Sequence, residues 1–406
     1  MRALFAALAI ALAAAPIATF PQQDPDANAR VLAAIEAALK QRPNDATLYF
    51  YLARVHALRG DAHAATEALL KVEALGDGFL PARQLGFEKV WDDPDFQLVR
   101  ARLEKKLPRL DYAPNAVELE DRGLIPEGMA YDAPSQSFFV GSAAEHKVVR
   151  ILPGNEVKDF TVSGAGLDGV LGIVADSPRR VLYVVSTSAL TLEGRRDRRN
   201  AIFAYDIDSG RFLRRVEVPG AVALNDVAVA RGGRVYTTDS GAGAVYEITP
   251  ENTARMLVKP GDLPGANGLA AAPDAKHLYI AHNTGLAVID LESGTFKKVA
   301  NETRENVAAI DGLYEWHGQL VGVQNITTPG RVVLITLSTD GATIIKVQTM
   351  LSHHHKALDE PTTGAPTEQG FFLLAATGMA HYNDKGEIDD PDKVPRPTIV
   401  RVLLPR

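Results

Sequence analysis

The sequence predicts an α+β chain of two domains, in which a small helical domain precedes a larger all-β domain built as a closed ring of six blades. Apolar residues recur at helical spacing from about residue 25 to about residue 110. After Pro108 the pattern changes to short runs rich in Val, Ile, Tyr and Phe, separated by clusters of Gly, Pro, Asp and Ser. This change indicates many strands and no long helix. We therefore predict a helical domain over 24–110 and a six-bladed β-propeller over 111–406.

The first residues have the pattern of a secretory signal. Met1-Arg2 is followed by an apolar run from Ala3 to about Ala15, and then by Pro16 to Ala18. A membrane-spanning helix needs about 20 apolar residues, and this run is shorter. We predict a signal peptide over 1–23, no membrane span, and a periplasmic or secreted mature protein. The chain contains no Cys, so neither a disulfide framework nor a lipid-attachment cysteine is expected.

Composition and charge limit the classes of partner. The chain has 406 residues, of which 46% are hydrophobic and 23% are charged, as is ordinary for globular proteins large enough for two domains. A net charge of −7 and a pI near 5.8 argue against a nucleic-acid partner, since phosphate binding needs a basic face. This leaves a small-molecule substrate and a protein partner as the classes to consider.

The helical region contains one segment, from Leu48 through Val72, that resembles a tetratricopeptide unit. Because such repeats bury their apolar faces only by stacking, a single unit needs flanking helices, including Phe79 to Leu103, or the second domain. The unit is either a docking groove for a protein partner or a helical packing element. The residues that match the large, small and turn positions of the motif are Tyr49, Leu52, Ala53, His56, Gly60, Asp61, Ala65 and Leu69.

Six segments of the β-domain begin alike, with an oxygen-bearing side chain just ahead of a short apolar strand. They recur at intervals of roughly 40 to 57 residues, close to the length of one four-stranded blade. The last blade lacks a convincing outermost strand, and the spare strand Ala116–Glu120 is predicted to supply it and close the ring. The six starts are Glu127-Gly128, Asp168-Gly169, Asn225-Asp226, Asn267-Gly268, Asp311-Gly312 and Asp359-Glu360.

Four of these starts carry side chains that suit a metal site, namely Glu127, Asn225, Asn267 and Asp311. Carboxylate and amide oxygens are hard ligands that suit calcium or magnesium, and inner strands converge on the axis of a propeller. Glu127 and Asp311 together would balance the charge of a divalent cation. The alternative is that such pairs are simply turn formers between strands.

From about residue 115 to residue 406 the chain resembles the regucalcin/gluconolactonase family of six-bladed propellers, also known as senescence marker protein-like. The resemblance implies a metal-dependent hydrolase of a lactone or related ester, in which Asp311 both binds the metal and moves the proton. The implied ion is Ca²⁺, with Zn²⁺, Mg²⁺ and Mn²⁺ as alternatives. The pairs EG, ND, NG and DG occur in the family's order, and they imply the metal ligands Glu127, Asn225, Asn267 and Asp311.

The second strand of each blade returns to the metal end of the ring, so the loops after these strands are predicted to face the substrate. One such loop contains the insertion Glu193–Asn200, whose four arginines either draw in an anionic substrate or form a solvated charged segment. The predicted substrate contacts are Asp226, Asp239, His282, Asn283 and Asn325.

Two further interpretations stay open. The run Ser352-His353-His354-His355 is expected to be an exposed loop or an adventitious metal site, since three consecutive histidines cannot all point one way in an extended segment. The alternative to an enzyme is a non-enzymatic exported binding protein, in which the propeller's ion is structural and the helical unit docks a partner.

Overall fold

The computed structural model of the protein describes residues 25–162 and 165–405. The predicted signal peptide, residues 1–23, lies outside the described residues and stays a prediction. Within the described part of the chain, no helix has both the length and the apolar character needed to cross a membrane.

The N-terminal domain is helical, as its 3.6-residue periodicity predicts. Aspartates immediately before three of its helices accept hydrogen bonds from the first free backbone N–H groups: Asp45 caps the second helix, Asp61 the third and Asp93 the fourth. Short 3₁₀ turns at Arg83–Leu85 and Glu88–Val90 connect the last two helices. The helices are α1 (Pro25–Gln41), α2 (Ala46–Leu58), α3 (Ala62–Leu75) and α4 (Pro94–Lys105).

Aromatic side chains fill the centre of the helical domain. Phe50 packs against Phe79 and Phe87 with ring centroids 5.5 and 5.6 Å apart, and Phe87 stacks on Phe96 at 5.8 Å. All four rings are buried. The predicted pair of helices over 48–72 is present as α2 and α3, while its assignment as a tetratricopeptide unit stays a prediction.

The β-domain is a six-bladed propeller, as predicted. Each blade is an antiparallel sheet of four strands, and a fifth short strand is added to the outer edge of blade 5. Strand β1 (Asn115–Glu118) precedes blade 1, which consists of β2 (Pro126–Asp132), β3 (Ser137–Ser142), β4 (Val148–Ile151) and β5 (Val157–Asp159), and blade 2, which consists of β6 (Gly169–Asp176), β7 (Val181–Thr187), β8 (Asn200–Asp206) and β9 (Phe212–Glu217). Blade 3 consists of β10 (Leu224–Val229), β11 (Val235–Asp239), β12 (Ala244–Ile248) and β13 (Ala254–Val258), and blade 4 of β14 (Leu269–Ala271), β15 (His277–His282), β16 (Gly285–Asp290) and β17 (Phe296–Lys298). Blade 5 consists of β18 (Ala300–Asn301), β19 (Ile310–Trp316), β20 (Gln319–Gln324), β21 (Arg331–Leu337) and β22 (Thr343–Leu351), and blade 6 contains β23 (Gly364–Thr367), β24 (Gly370–Ala376) and β25 (Thr398–Val402).

The ring closes through strand β1. It pairs antiparallel with β25, with Val117 opposite Ile399 and Glu118 opposite Thr398, so it supplies the outermost strand of blade 6. The inner strands of successive blades are in contact all the way round, from β2 through β6, β10, β14, β19 and β23 back to β2. The predicted closure is therefore confirmed.

The apolar content of a strand depends on whether the strand lies in the middle or at the outer edge of its blade. Because middle strands pack against neighbouring blades on both faces, they are continuous apolar runs and do not alternate. Every residue of β24 is buried, whereas every residue of the outer strand β5 is exposed.

The inner strands carry β-bulges at the predicted starts. Register shifts lie between Pro126 and Met129 in β2, between Leu224 and Val227 in β10, and between Ile310 and Leu313 in β19. A bulge re-aims a side chain out of the regular alternation. The pairs in blades 1, 3 and 5 thus lie inside strands, and their alternative interpretation as turns between strands is wrong.

The bulge of blade 2 corrects one predicted start. It lies between Val170 and Ile173, so the counterpart of Glu127 in this blade is Leu171 and not Asp168. Asp168 instead makes an ion pair with Arg199, at 2.7 Å.

Glycines let the inner strands approach one another closely. A Cβ on Gly128 would lie 1.8 Å from the carbonyl oxygen of Leu171 in blade 2, and a Cβ on Gly268 would lie 2.3 Å from the carbonyl oxygen of Asp311 in blade 5. No side chain fits at such distances, so the second residue of these pairs is glycine for packing reasons.

The helical domain packs on blades 4 and 5. The Leu80 N–H donates to the Thr327 carbonyl at 3.0 Å, and the Asp77 N–H donates to the Arg304 carbonyl at 2.9 Å. Ile326 of blade 5 packs into the helical core. The helical unit is thus stabilised by the second domain.

Candidate functional site

One cavity at the end of the ring collects residues from every blade. Its floor consists of one residue from the start of each inner strand, or from just before it, so side chains far apart in sequence meet around the axis. The six residues, in blade order, are Glu127, Leu171, Asn225, Asn267, Asp311 and Thr362. The four predicted metal ligands therefore line the same cavity.

The wall of the cavity comes from loops that follow the second strands. The predicted geometry holds for blades 2 to 6, where such loops contribute polar and apolar residues to the lining. The helix α5 (Leu192–Asp197) adds an arginine to this wall. The wall residues include Ala189, Leu190, Arg195, Ser240, Asn283, Asn325, Ile326 and Met379.

Two amide groups hold the Asp311 carboxylate. Its Oδ1 accepts a hydrogen bond from Asn267 Nδ2 at 2.9 Å, and its Oδ2 accepts one from Asn325 Nδ2 at 2.6 Å. Burial raises the pKa of Asp311 to about 6, although these two hydrogen bonds oppose the shift. The carboxylate is therefore fixed in orientation, and its burial favours the protonated form more than exposure to water would.

Glu127 faces the same cavity from blade 1. Its backbone carbonyl is fixed by the hydroxyls of Thr362 and Thr363, at 3.1 and 2.6 Å. Its side-chain Oε2 is out of contact with solvent and has no hydrogen-bond partner in the described structure. Burial raises the pKa of Glu127 well above its usual range, and the charge of Asp311 raises it further. A buried carboxylate oxygen without a partner is costly and would be compensated by a cation.

The donor set fits a hard divalent cation. Glu127 and Asp311 supply carboxylates, Asn225 and Asn267 supply amides, and the Oδ1 of Asn325 also lacks a hydrogen-bond partner in the described structure. Carboxylate and amide oxygens are the ligands that calcium prefers. The Asn267 nitrogen donates to Asp311 in this structure, and rotating its amide would present the oxygen instead with no change of shape.

The structure brings two of the five predicted substrate contacts to the cavity and places three elsewhere. Asn283 and Asn325 line the cavity. Asp226 lies below it, where its Oδ1 accepts from the Val227 N–H and its Oδ2 from the Leu269 N–H of the next blade. Its carboxylate therefore joins blades 3 and 4.

Asp239 and His282 are also corrections. The Asp239 carboxylate accepts from three backbone N–H groups, those of Val222, Ala223 and Ala242, so it orders a loop. His282 is buried outside the cavity on the side of the helical domain, where its Nδ1 accepts from the Thr284 N–H. Burial lowers the pKa of His282 to about 3. Neither side chain is available to a ligand in the cavity.

Glu360 is a cavity residue that the sequence interpretation missed. It lines the cavity and its side chain is buried, with Oε2 accepting from the Ala380 N–H at 2.6 Å. Its backbone φ of 54° lies in the left-handed region, which is uncommon for a residue other than glycine. Ile125 and Ala309 adopt the same region just before the inner strands of blades 1 and 5, with φ of 40° and 50°. Such strained residues concentrate at functional sites.

Replacing Glu360 by Gln is expected to change the pH dependence of stability. Burial and the neighbouring Asp359 raise the pKa of Glu360 from 4.5 to about 7. The folded state therefore holds the proton more tightly than the unfolded state, and the free energy of unfolding falls as pH rises from about 4.5 to about 7. Glu360→Gln stays neutral and removes this loss, which is on the order of 3 kcal/mol.

Denaturant unfolding of EDTA-treated protein at pH 5 and pH 8 measures the effect. Glu360→Gln is expected to be more stable than wild type at pH 8 only, and the exposed Glu251→Gln is the matched control. An equal loss of stability between pH 5 and pH 8 in wild type and Glu360→Gln would contradict a raised pKa for Glu360.

The helical domain contacts the back of the cavity wall, whereas the arginine-rich insertion lines the cavity itself. The Tyr51 hydroxyl of α2 donates to the Asn283 carbonyl at 2.8 Å, so a helix supports the wall that carries this residue. Of the arginines in the insertion, Arg195 lines the cavity and lies 3.8 Å from Asp384. Arg199 instead pairs with Asp168.

Comparisons with known proteins support the fold and do not show the function. No family model matches the chain, and no curated protein matches its sequence. The major allergen Mala s 1 of Malassezia sympodialis is similar in structure, with a TM-score of 0.56 and 13% identity over 71% of this chain and 96% of the allergen. This likeness shows the propeller fold alone.

Two enzymes of known structure are also similar at lower TM-scores. A gluconolactonase from Xanthomonas campestris has a TM-score of 0.47 and 17% identity over 73% of this chain and 91% of its own. A luciferin-regenerating enzyme has a TM-score of 0.49 and 15% identity over 72% of this chain and 96% of its own. At these values the function of this chain has to be argued from its site.

Proposed function

We propose that the protein is an exported, metal-dependent hydrolase of a lactone or related ester. The observation that carries the proposal is the pair of carboxylates, Glu127 and Asp311, that face one cavity together with Asn225 and Asn267. The carboxylates have raised pKa values, and Glu127 Oε2 is unpartnered in the described structure. Such an arrangement is costly unless a cation binds.

Glu127, Asn225, Asn267 and Asp311 are the residues that would hold the ion. Ca²⁺ is our first choice because all four offer oxygen, and Zn²⁺, Mg²⁺ and Mn²⁺ are the alternatives. When bound, a divalent cation polarises a carbonyl oxygen and lowers the pKa of a coordinated water.

Asp311 is the proposed proton-transfer residue. Its carboxylate faces the cavity beside the other residues that would hold the ion, so it is placed to take a proton from the attacking water. The same proton is then available to the alkoxide oxygen that leaves when the acyl C–O bond breaks. The amides of Asn267 and Asn325 keep the carboxylate in one orientation during both transfers.

The rest of the cavity suits a small ester with polar substituents. Leu171 in the floor and Leu190 and Met379 in the wall provide apolar surface. Asn283 and Asn325 offer amide groups that would orient hydroxyl or carbonyl groups of the substrate. Arg195 adds a positive charge at one side.

The proposal is tested by assaying the purified protein against a panel of aldonolactones and aryl esters, with EDTA and with added Ca²⁺, Zn²⁺, Mg²⁺ or Mn²⁺. We expect hydrolysis of at least one lactone that EDTA abolishes and one cation restores. Turnover that is unaffected by EDTA would contradict the metal dependence, and the absence of turnover across the panel would contradict the enzyme assignment.

A second candidate is a non-enzymatic exported binding protein with a structural ion. The observation that favours it is the direct contact of the helical domain with the cavity wall through Tyr51 and Asn283, which a stand-alone hydrolase does not need. A protein that binds the cation, hydrolyses none of the panel and retains a partner in pull-down experiments would support this candidate.

A further inference from the structure

The histidine run forms a turn and not the extended segment we expected. His353 and His354 lie side by side, with ring centroids 4.0 Å apart and ring planes at 37°. His355 points inward, where its Nε2 donates to the Ala113 carbonyl at 2.8 Å and its Nδ1 accepts from the Ala357 N–H at 3.2 Å. The three side chains therefore do not all point one way, as expected: the turn places His353 and His354 on one side, while His355 points inward.

A carboxylate from the helical domain lies beside these two histidines. Glu104, near the end of α4, places Oε1 3.3 Å from His353 Nε2. One carboxylate oxygen of Glu104 and one nitrogen from each of His353 and His354 lie within 4.8 Å of one another. Among residues 25–162 and 165–405, no other group of three His, Cys, Asp or Glu side chains is so closely arranged.

The three side chains are held in place by neighbours. Arg100 Nη1 binds the other oxygen of Glu104, Oε2, at 3.0 Å, and so leaves Oε1 directed at the histidines. The Ser352 hydroxyl lies 3.0 Å from Nδ1 of His354, and the Ser352 N–H is fixed to the Leu110 carbonyl at 2.8 Å. Metal ligands are typically oriented by such secondary contacts.

We propose that Glu104, His353 and His354 bind a transition-metal ion of the zinc class and that the ion joins the helical domain to the propeller. Imidazole nitrogens with one carboxylate suit Zn²⁺, Ni²⁺ or Cu²⁺, whereas Ca²⁺ requires oxygen ligands. The side chain of His353 is 11% exposed and that of Glu104 is 36% exposed, so an ion can enter and water can complete its coordination. This site is separate from the cavity and does not depend on the proposed hydrolase activity.

The test is a calorimetric titration of EDTA-treated full-length protein with ZnCl₂. Removing one ligand, in His353→Ala or Glu104→Gln, is expected to weaken this zinc binding by at least about tenfold. The matched control is His63→Ala, which removes an exposed histidine from α3. Asp311→Asn reports any zinc bound in the cavity. Glu104→Gln keeps the shape of the side chain, so it guards against a folding defect in the histidine variant.

Because the proposed ion joins the two domains, it should also stabilise the folded protein. Zinc is expected to raise the melting temperature by a few degrees and to slow protease cleavage in the linker 106–114 in wild type, in His63→Ala and in Asp311→Asn. Both effects should be smaller in His353→Ala, and neither should remain when His353→Ala is combined with Asp311→Asn. Zinc affinity that is unchanged in both His353→Ala and Glu104→Gln, or that is lost only in Asp311→Asn, would overturn the proposal.

Discussion

Asp311→Asn is expected to reduce lactone turnover by roughly 100- to 10,000-fold, the range associated with losing a positioned acid–base group. The substitution keeps the size of the side chain but removes the charge that would hold the cation and the oxygen that would take the proton. Its effect should appear in kcat and should be accompanied by loss of the thermal stabilisation that the cation gives to wild type.

Asp168→Asn is the matched control for this prediction. Asp168 precedes the inner strand of blade 2, as Asp311 begins that of blade 5, but it pairs with Arg199 and does not line the cavity. Turnover in this variant is expected to stay within about twofold of wild type, since exposed ion pairs contribute little. An Asp311→Asn enzyme that keeps full activity and its response to cations would contradict the assignment.

Gly128→Ala is expected to cause the largest loss of stability, about 3 kcal/mol or more. The new Cβ would lie 1.8 Å from the Leu171 carbonyl oxygen and 2.9 Å from its carbonyl carbon. Both atoms are backbone, so relief requires blades 1 and 2 to move apart and the ring to open. Denaturant unfolding followed by circular dichroism measures the effect.

Gly123→Ala provides the control. Its Cβ would meet the ends of three side chains, those of Asp121 and Glu145 at 3.3 Å and that of Ile388 at 4.0 Å, and these ends can move. A change within about 1 kcal/mol of wild type is expected. If Gly128→Ala is as stable as Gly123→Ala, the close approach of the inner strands is not as the structure has it.

The repeated features of the fold, which are the blades and the starts of their inner strands, could be predicted from the sequence. A period near one blade length, a spare strand before the first blade and an oxygen-bearing residue at each inner strand together gave six blades and a ring closed by β1. The same period placed Glu127, Asn225, Asn267 and Asp311 around one cavity, because inner strands of a propeller converge on its axis.

The features that depend on where a single side chain points could not be predicted. Asp226 and Asp239 are acidic residues at the correct end of their blades, but backbone N–H groups capture their carboxylates. Periodicity alone does not show where a bulge falls, so Leu171 was missed as the blade 2 counterpart. The left-handed backbone of Glu360 turns its side chain into the cavity, and no sequence pattern signals such a conformation outside glycine.

The domain contact was likewise only partly predictable. A single helical unit needs a surface to cover its apolar face, which predicted that it would pack either on flanking helices or on the second domain. The particular contacts, between Tyr51 and Asn283 and between Glu104 and His353, join residues more than 200 positions apart and have no local signal.

Calcium titration of the EDTA-treated protein tests the proposed cavity ion most directly. Because the Glu104 site contains two imidazoles, Ca²⁺ reports on the oxygen-lined cavity alone. We predict one bound equivalent of Ca²⁺ in wild type and in His353→Ala, and none in Glu127→Gln. A wild-type protein that binds no Ca²⁺ would contradict Ca²⁺ as the cavity ion, and a Glu127→Gln variant that binds it as tightly as wild type would contradict a cation held between Glu127 and Asp311.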